Sequence, residues 1–239
     1  MLFLSMTKLP RLIEPEWLDE LPPADPRAQR SRQDLKRLNF IMGNVGILQR
    51  RLDQHWTLDG PRDQPQNGPI VIAELGAGDG TFMLALARRM SPKWASVKVF
   101  LVDRQPSVSE QTKFALQELG WAVECVTADV FDWLSSADAG VDVMICNLFL
   151  HHFHPQPLAA LLAMCAQKST LFLACEPVRS RMALCSSHLL GIIGCNDVTR
   201  HDAILSVRAG FRQHELTDTW PDQRQWLLEE HGAGLFSHA

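Results

Sequence analysis

The sequence of 239 residues contains no tyrosine, so no phenol side chain can act as an acid, a base or a stacking surface. It also lacks an excess of positive charge, because 23 Lys and Arg stand against 27 Asp and Glu, a net charge of −4. Proteins that follow a phosphate backbone are normally basic, so no nucleic-acid partner is expected. Hydrophobic residues make up 46% and charged residues 21%, which is the composition of a folded globular domain.

Paired cysteines and long apolar runs are also missing. The six cysteines contain no CxxC spacing and several lie in apolar runs, so we expect small buried residues in a reducing cytoplasm: Cys125, Cys146, Cys165, Cys175, Cys185 and Cys195. The longest apolar stretches, residues 141–150 and 157–166, are too short to span a bilayer. Residues 1–4 are too few for the apolar part of a signal sequence. The sequence therefore predicts a cytoplasmic protein with no membrane partner.

The N-terminal quarter contains an irregular arm and one helix. Prolines and acidic residues dominate the first 28 positions, which is typical of an irregular segment. From Gln29 to Gln54 apolar residues recur every three or four positions, which predicts a single helix with most of its arginines in solvent. Gly43 and Gly46 lie inside this helix at a cost of about 1 kcal/mol each, which indicates that another surface approaches closely. Residues 58–69, rich in Gly and Pro, predict a linker.

Beyond the linker, strands and helices alternate. Strands are predicted at 70–73, 97–102, 122–127, 141–149 and 170–175, and helices at 81–90, 107–119 and 155–166. Apolar strands that are each followed by a helix imply a parallel sheet covered on both faces, which is an α/β doubly wound domain. Residues 211–217 and 226–231 predict closing antiparallel strands. The tail at 235–239 fits another strand or the start of one.

The most specific motif is the sequence AELGAGDGT at residues 73–81, between the first strand and its helix. Its glycines allow a tight turn and a close ligand, and the free N–H groups at the helix start favour an anionic group. A dinucleotide-binding loop has the spacing GxGxxG, whereas Gly76, Gly78 and Gly80 alternate with single residues. Glu74 also stands where a pyrophosphate site has no use for a carboxylate. The loop thus favours a ligand other than a dinucleotide.

Polar residues follow the next three strands of the predicted sheet. Asp103 ends the second strand, where a carboxylate of a doubly wound fold accepts hydrogen bonds from ribose hydroxyls. Asp129 follows the third strand and Asn147 ends the fourth. Each alone is also compatible with an ordinary polar residue at a strand end. Together they line the sheet edge at the places that a nucleoside would occupy.

With these motifs the sequence resembles the class I S-adenosylmethionine-dependent methyltransferases of the small-molecule type, over about residues 35–220. Residues 74–80 match the family's first motif, (E/D)xGxGxG, and residues 147–153 (NLFLHHF) resemble its fourth-strand segment. The resemblance implies a mainly parallel seven-stranded sheet, with S-adenosylmethionine as cofactor and S-adenosylhomocysteine as product. The cofactor contacts it implies are Glu74, Gly76, Ala77, Gly78, Asp103, Arg104, Asp129, Val130 and Asn147.

The resemblance also implies a division of the chain. Residues 1–60 would form the arm and a helical lid, and residues 61–239 the core, with a helical substrate roof at about 176–210. In this roof Thr199, followed by Asp202 and an apolar run, fits a helix N-cap. Candidate substrate contacts are His151 after the fourth strand and His188 and Arg200 in the roof.

Missing motifs narrow the expected reaction. Amino-directed members of the family use an (N/D)PP(Y/F) tetrad, which residues 147–150 (NLFL) do not match, and Cys146 breaks the Asp-Asn pair of the metal-assisted catechol type. We therefore expect metal-independent O-methylation, or C-methylation, of an aromatic or polyketide-type small molecule. No metal site is predicted, because adjacent histidines point in different directions and no partner has ligand spacing. His152 and His201 are the candidate general bases, since the unperturbed pKa of histidine is about 6.5.

Two other functions stay open at this stage: an NAD(P)-dependent oxidoreductase with a variant glycine loop, and a non-catalytic binding protein with the same fold. The expected partner is a small-molecule methyl acceptor. The expected oligomeric state is a monomer or a homodimer.

Overall fold

A seven-stranded sheet with the strand order β3-β2-β1-β4-β5-β7-β6 forms the centre of the fold. The computed structural model describes residues 9–55, 68–91, 93–94, 96–136, 140–233 and 236–239, so residues 1–4 and most of the predicted linker lie outside it. The strands are Ile70–Leu75 (β1), Val97–Asp103 (β2), Trp121–Thr127 (β3), Val141–Asn147 (β4), Ser169–Pro177 (β5), Gly232–Ala233 (β6) and Ser237–His238 (β7). Strands β1 to β5 pair in parallel, and β7 is antiparallel to β5 and β6. The predicted doubly wound, mainly parallel sheet is confirmed.

Helices connect the parallel strands, as the alternating pattern predicts. The helices are Trp17–Glu20 (α1), Pro26–Met42 (α2), Asn44–His55 (α3), Thr81–Met90 (α4), Glu110–Glu118 (α5), Val130–Ser136 (α6), Pro155–Lys168 (α7), Arg181–His188 (α8) and Asp197–Ala209 (α9), with 3₁₀ turns at Leu150–His152, Thr217–Thr219 and Gln223–Gln225. No helix among the described residues is both long and apolar enough to cross a lipid bilayer.

The sheet separates two apolar cores, because successive side chains of a strand point to opposite faces. Ile72 of β1 belongs to the core that also contains Leu48 and Leu52 of α3 and Met83 of α4. The neighbouring Ala73 belongs to the other core, which is built on α6, α7 and the C-terminal segment. Both faces of β1 are therefore buried, which is why the sequence of this strand is apolar throughout.

The predicted helix over Gln29–Gln54 is wrong in its continuity. Gly43 has φ +72° and ends α2 by donating its N–H to the carbonyls of Asn39 and Phe40, and α3 begins at the next residue. Nothing lies within 4 Å of the position that a Cβ on Gly43 would take. The glycine is therefore required by its left-handed backbone and not by a close neighbour.

Four asparagine and serine side chains hold the junction between α2 and α3. Asn44 Nδ2 donates to Asn39 Oδ1 at 3.0 Å and to Asn147 Oδ1 at 2.9 Å, at the end of β4. Ser237 Oγ of β7 donates to Asn44 Oδ1 at 2.7 Å. Asn44 and Ser237 are fully buried, so this network satisfies polar groups that water cannot reach.

The predicted antiparallel strands at 211–217 and 226–231 are wrong. The two carboxylate oxygens of Glu230 accept the backbone N–H groups of Leu216 and Thr217 at 3.0 and 2.7 Å, which removes these donors from strand pairing. Trp220 then packs in the second core from between two 3₁₀ turns. The tail does contribute a strand, β7, as expected.

Two smaller expectations also need correction. The N-cap of α9 is Asn196, whose side chain accepts the N–H of Thr199 at 2.9 Å, so Thr199 is not the cap. Of the six free cysteines, Cys125 and Cys185 are exposed, whereas the other four are buried as predicted.

Candidate active site

A cavity of about 710 Å³ lies where the parallel strands β1 to β4 end. It is lined by the glycine loop, by the segments that follow β2, β3 and β4, and by parts of the arm, α2, α8 and α9. Eight of the predicted site residues line the cavity: Gly76, Gly78, Asp103, Arg104, Asp129, Val130, His151 and His152. These residues are far apart in the sequence, and the parallel sheet brings them to one edge.

The glycine loop and Asp103 are held against each other. Gly76 and Gly78 have φ +71° and +54°, values that side chains other than glycine rarely adopt. The N–H of Gly78 donates to Asp103 Oδ2 at 2.8 Å, and the N–H of Gln105 donates to Oδ1 at 2.8 Å. Nothing lies within 4 Å of the place that a Cβ on Gly78 would take, so the backbone here faces open space.

Asp129 and Val130 form the next wall of the cavity. Asp129 Oδ1 accepts the N–H of Phe131 at 2.9 Å in the first turn of α6. A carboxylate has about four lone-pair positions, so Asp103 and Asp129 both retain acceptor capacity towards the cavity.

Two predicted cofactor residues lie outside the cavity lining. Ala77 is buried, and its N–H donates to the carbonyl of Val102 at 3.0 Å. Asn147 faces the α2–α3 junction, where its amide bonds to Asn44 and Asn39.

Glu74 is also absent from the lining. It is fully buried, and burial, followed by the charges of Asp79 and Asp103, raises its pKa well above the usual value. Its Oε2 has no hydrogen-bond partner among the described side chains and backbone groups. An orphaned carboxyl oxygen beside the loop indicates that a polar group is accommodated nearby.

Glu176 organises the turn that carries the two histidines, although sequence reasoning did not find it. Its fully buried carboxylate accepts the N–H groups of Phe149 and Leu150 at 3.0 and 2.9 Å, and it lies 2.8 Å from His151 Nδ1. These contacts end β4 at Asn147, two residues earlier than predicted, and Leu148 takes a left-handed φ of +56°. The available signal was an acidic residue at the end of a buried strand.

His151 lies between two carboxylates. Its Nε2 is 3.4 Å from Glu16 Oε1, and its Nδ1 bonds to Glu176. Burial alone would lower the pKa of His151, but the two carboxylates outweigh it and raise the pKa to about 9. His151 is therefore an imidazolium at neutral pH.

His152 has the opposite electrostatic character. Burial, followed by the charge of His151, lowers its pKa. Its Nδ1 lies 3.5 Å from Asp19 Oδ2, and its Nε2 has no ion pair or hydrogen bond within the described part of the chain. His152 thus lines the cavity as a neutral imidazole.

The segment predicted as a substrate roof contributes residues to the cavity lining, but not the two that the sequence predicts. His188 and Arg200 are exposed and do not line it. Ala183, Leu190 and Val207 of this segment line the cavity together with Ser186, Ser187 and Ser206. From α2, the apolar residues Leu35, Leu38 and Met42 line it together with Arg32.

His201 lies outside the cavity lining. Its ring stacks on Trp17 at 3.8 Å, and its Nδ1 lies 2.8 Å from Asp202 Oδ1. Asp202 also accepts the N–H groups of Trp17 and Leu18 at 2.9 and 3.0 Å. Both residues therefore connect the arm to α9, and the structure does not bring His201 together with the other predicted site residues.

The arm itself supplies Glu16 and Asp19 to the cavity, which no sequence motif indicated. Glu16, His151 and His152 bring one ligand atom each to within 4.8 Å of one another, a composition that suits a divalent metal. The expectation that the adjacent histidines point in different directions is therefore wrong, although no further Cys or His joins them in this cluster of described residues.

Comparisons with known proteins agree with this geometry. Residues 72–168 match the family model described as a methyltransferase domain. No curated protein matches the chain by sequence.

Solved structures with a similar fold include three methyltransferases of low sequence identity. An O-methyltransferase family protein from Burkholderia thailandensis is 14% identical with a TM-score of 0.55, and the match covers 90% of this chain and 60% of that one. A plantazolicin methyltransferase bound to a substrate analogue and S-adenosylhomocysteine is 11% identical with a TM-score of 0.56, covering 84% and 68%. Magnesium protoporphyrin IX methyltransferase from Synechocystis, with bound S-adenosylhomocysteine, is 14% identical with a TM-score of 0.51, covering 82% and 80%. The chain thus spans about 60% of the length of the Burkholderia protein.

Proposed function

We propose that the chain is a class I S-adenosylmethionine-dependent methyltransferase that methylates a hydroxyl of a small apolar molecule. The match of residues 72–168 to the model of a methyltransferase domain supports this proposal. The observation that carries the proposal is the shared cavity. The glycine loop, Asp103 and Asp129 line one part of this cavity. The neutral His152 and apolar residues of α2 and α8 line the same cavity. Cofactor and acceptor would therefore meet in one enclosed space, as in-line transfer requires.

The residues at the loop fit S-adenosylmethionine. Asp103 has acceptor capacity for ribose hydroxyls, and the open backbone at Gly78 leaves room for the methionyl part. Ala128, Asp129 and Val130 line the part of the cavity assigned to adenine by the family resemblance. When bound, S-adenosylmethionine supplies an electrophilic methyl group on a positively charged sulfur.

The acceptor region favours an apolar molecule with one polar end. Leu35, Leu38 and Met42 of α2 line the cavity together with Ala183 of α8 and Leu190 of the turn that follows it. Burial of apolar ligand surface here contributes about 25 cal/mol per Å². His151 and His152 line the same cavity and are not among the residues assigned to the cofactor, so the reacting hydroxyl would be held at these histidines. This division supports an aromatic or polyketide-type acceptor.

His152 is the proposed general base. Its pKa is low, so at neutral pH it can accept a proton from the acceptor hydroxyl at Nε2. Asp19 near Nδ1 orients the ring and stabilises the imidazolium that forms. His151 already carries a proton and is proposed to position the acceptor oxygen.

Metal independence is also part of the proposal. The carboxylates of Glu16 and Glu176 flank His151 and raise its pKa to about 9, so a cation at Glu16, His151 and His152 would first have to displace a proton. Turnover that is unchanged by EDTA would support this, and loss of turnover restored by Zn²⁺ or Mn²⁺ would overturn it.

Cofactor binding is tested by calorimetry with S-adenosylhomocysteine. We expect Asp103→Ala to weaken binding at least tenfold, because charge-assisted hydrogen bonds contribute about 1.5–3 kcal/mol each. Asp132→Ala is the matched control, since Asp132 is an exposed carboxylate of α6 outside the cavity lining. Binding of NADH with no binding of S-adenosylhomocysteine would refute the proposal in favour of an oxidoreductase.

The base is tested with a panel of hydroxylated aromatic and polyketide-type compounds, with formation of S-adenosylhomocysteine as the readout. For an accepted compound, His152→Ala should lower kcat more than a hundredfold, with recovery at high pH. His188→Ala, an exposed histidine outside the lining, should change kcat little. A loss below tenfold for His152→Ala would leave orientation alone as the mechanism. No turnover with any compound, despite cofactor binding, would favour the non-catalytic alternative.

A further inference from the structure

A second cavity, of about 900 Å³, has a very different lining from the first. It lies along α3 and α4 and is bordered by the end of α2 and by residues around His231. Its cationic side chains come from three helices and are Lys36, Arg50, Arg51, Arg88 and Arg89. The whole chain has a net charge of −4, so this concentration of positive charge is a local feature.

Carboxylates neutralise two of these five cations. Lys36 Nζ lies 2.9 Å from Asp79 Oδ2, and Arg51 Nη1 lies 3.1 Å from Glu229 Oε2. Arg50, Arg88 and Arg89 have no acidic partner within ion-pair distance in the described ranges. The one side-chain contact of Arg89 is with Gln49 Oε1 at 3.4 Å. Three guanidinium groups thus remain uncompensated in one concave surface.

Two of these guanidinium groups converge on Gly46. The position of a Cβ on Gly46 would be 3.1 Å from Arg89 Nη1 and 3.6 Å from Arg50 Nη1. Any larger side chain would fill the space in front of both tips. Like charges that converge repel each other, and an anion between them removes that repulsion. Gly46 also lowers the helix propensity of α3 by about 1 kcal/mol relative to alanine.

We propose that this cavity binds the phosphate or pyrophosphate group of a small organic molecule, in front of Gly46 and between Arg50 and Arg89. Guanidinium groups bind phosphate oxygens in pairs of parallel hydrogen bonds, and three of them match a multiply charged anion better than a single carboxylate. The concave shape and the net negative charge of the chain disfavour an extended polyanion such as a nucleic acid.

The site is separate from the proposed methyl-transfer cavity. The two cavities share only Met42 among their described lining residues. Met42 is the last residue of α2, next to the turn at Gly43. An anion at Gly46 would therefore contact the same helix junction that borders the acceptor, and the inference does not depend on the acceptor's identity.

Calorimetry with pyrophosphate, ADP and inorganic phosphate tests the proposal, with the glycine loop saturated by S-adenosylhomocysteine. We expect pyrophosphate and ADP to bind more tightly than phosphate, and Arg50→Gln and Arg89→Gln each to weaken binding at least tenfold. Gly46→Gln should also weaken it, by filling the space in front of the arginines. Arg224→Gln is the matched control, because Arg224 is exposed and far from this lining in the described structure.

Unchanged affinity for S-adenosylhomocysteine in each variant shows that the variant is folded. The proposal is overturned if pyrophosphate does not bind at millimolar concentration, or if Arg50→Gln and Arg89→Gln bind it as the parent does. Binding of a single-stranded oligonucleotide more tightly than ADP, with the same loss in both variants, would identify the groove as a nucleic-acid site and also overturn it.

Discussion

Helices α2 and α3 carry the same apolar periodicity, but their apolar faces have different neighbours. In α3, Leu48 and Leu52 are fully buried in the core that lies on one side of the sheet. In α2, Leu35 and Leu38 are half-buried and line the candidate active site. Periodicity in a sequence shows which face of a helix is covered and leaves open whether protein or ligand covers it.

Polar contacts attach α2 to the rest of the molecule. Asp34 is fully buried, accepts the N–H of Asn196 at 2.9 Å and lies near Arg30 and Arg37 at 3.5 and 3.6 Å. Comparable buried charges are missing from α3, whose buried residues are Asn44, Ile47, Leu48 and Leu52. We therefore expect apolar substitutions to affect stability mainly through α3 and ligand binding mainly through α2.

The largest expected difference in the free energy of unfolding is between alanine substitutions at Leu48 of α3 and Leu38 of α2. Leu48→Ala removes a fully buried side chain and should lower the free energy of unfolding by roughly 3–5 kcal/mol. Leu38→Ala should lower it by under about 1 kcal/mol, because Leu38 is partly open to the cavity. Denaturant titration measures both values. Leu38→Ala should instead raise KM for an apolar acceptor, and equal losses of stability in the two variants would refute the contrast.

The same contrast implies that removal of residues 1–54 would not leave a stable core. Such a truncation deletes α3 and opens the apolar core against β1 and α4. A lid over residues 1–60 therefore stays a prediction for the arm and α2, which line the cavity, and does not suit α3.

The second prediction concerns the effect of pH on stability, which we expect to act through His151 in the cavity. The pKa of His151 is about 9 in the folded chain and near 6.5 when unfolded, so the histidine stabilises the fold fully below pH 6.5. Between pH 6.5 and 9 the unfolded chain has lost this proton and the folded chain has kept it, so stability falls as pH rises. A shift of this size corresponds to a loss on the order of 3 kcal/mol.

The measurement is Tm against pH for the parent protein and for His151→Gln. The parent curve should fall between pH 6.5 and 9, whereas the variant curve should be flatter in that window. Parallel curves would show that Glu16 and Glu176 do not hold the proton on His151. We expect no comparable pH dependence of stability from α3, because α3 contributes apolar contacts.

The smallest expected effect on stability is the difference between alanine substitutions at Gly43 and at Gly46. Gly43→Ala places a side chain at φ +72° and should destabilise the protein by about 1 kcal/mol, although nothing obstructs the new Cβ. Gly46→Ala lies within α3, where alanine favours the helix and only the flexible tip of Arg89 must move. Its unfolding free energy should be unchanged or higher. Equal destabilisation would show that close contact, and not backbone conformation, selects both glycines.

The sequence was sufficient for the parts of the molecule that depend on local patterns. Apolar runs located β1 and β4 because both faces of these two strands are buried. The loop spacing, with Asp103 and Asp129, pointed to residues that line one part of the cavity. The break at Gly43 could not be predicted, because a glycine within a helical pattern fits both a close neighbour and a left-handed turn.

The other half of the cavity depends on contacts between distant segments. Glu16 and Asp19 reach the histidines because the arm is bound to α9, through Asp202 and through Ser206, which donates to Glu16. His201 and His152 are equally plausible bases in the sequence, and only packing against Trp17 removes His201 from the cavity. Asn147 lies at the end of its strand, where the sequence predicts a cofactor contact, but its side chain accepts a hydrogen bond from Asn44.

The hydrogen bond from Ser237 to Asn44 affects the order in which parts of the protein fold during synthesis. The two residues are 193 positions apart, and at 5–20 residues per second a ribosome needs about 10–40 s to add that stretch. During this time the buried amide of Asn44 lacks its partner from β7, and β5 lacks its antiparallel neighbour. The turn between α2 and α3 is therefore finished among the last events of biosynthesis, after most of the sheet has been synthesised.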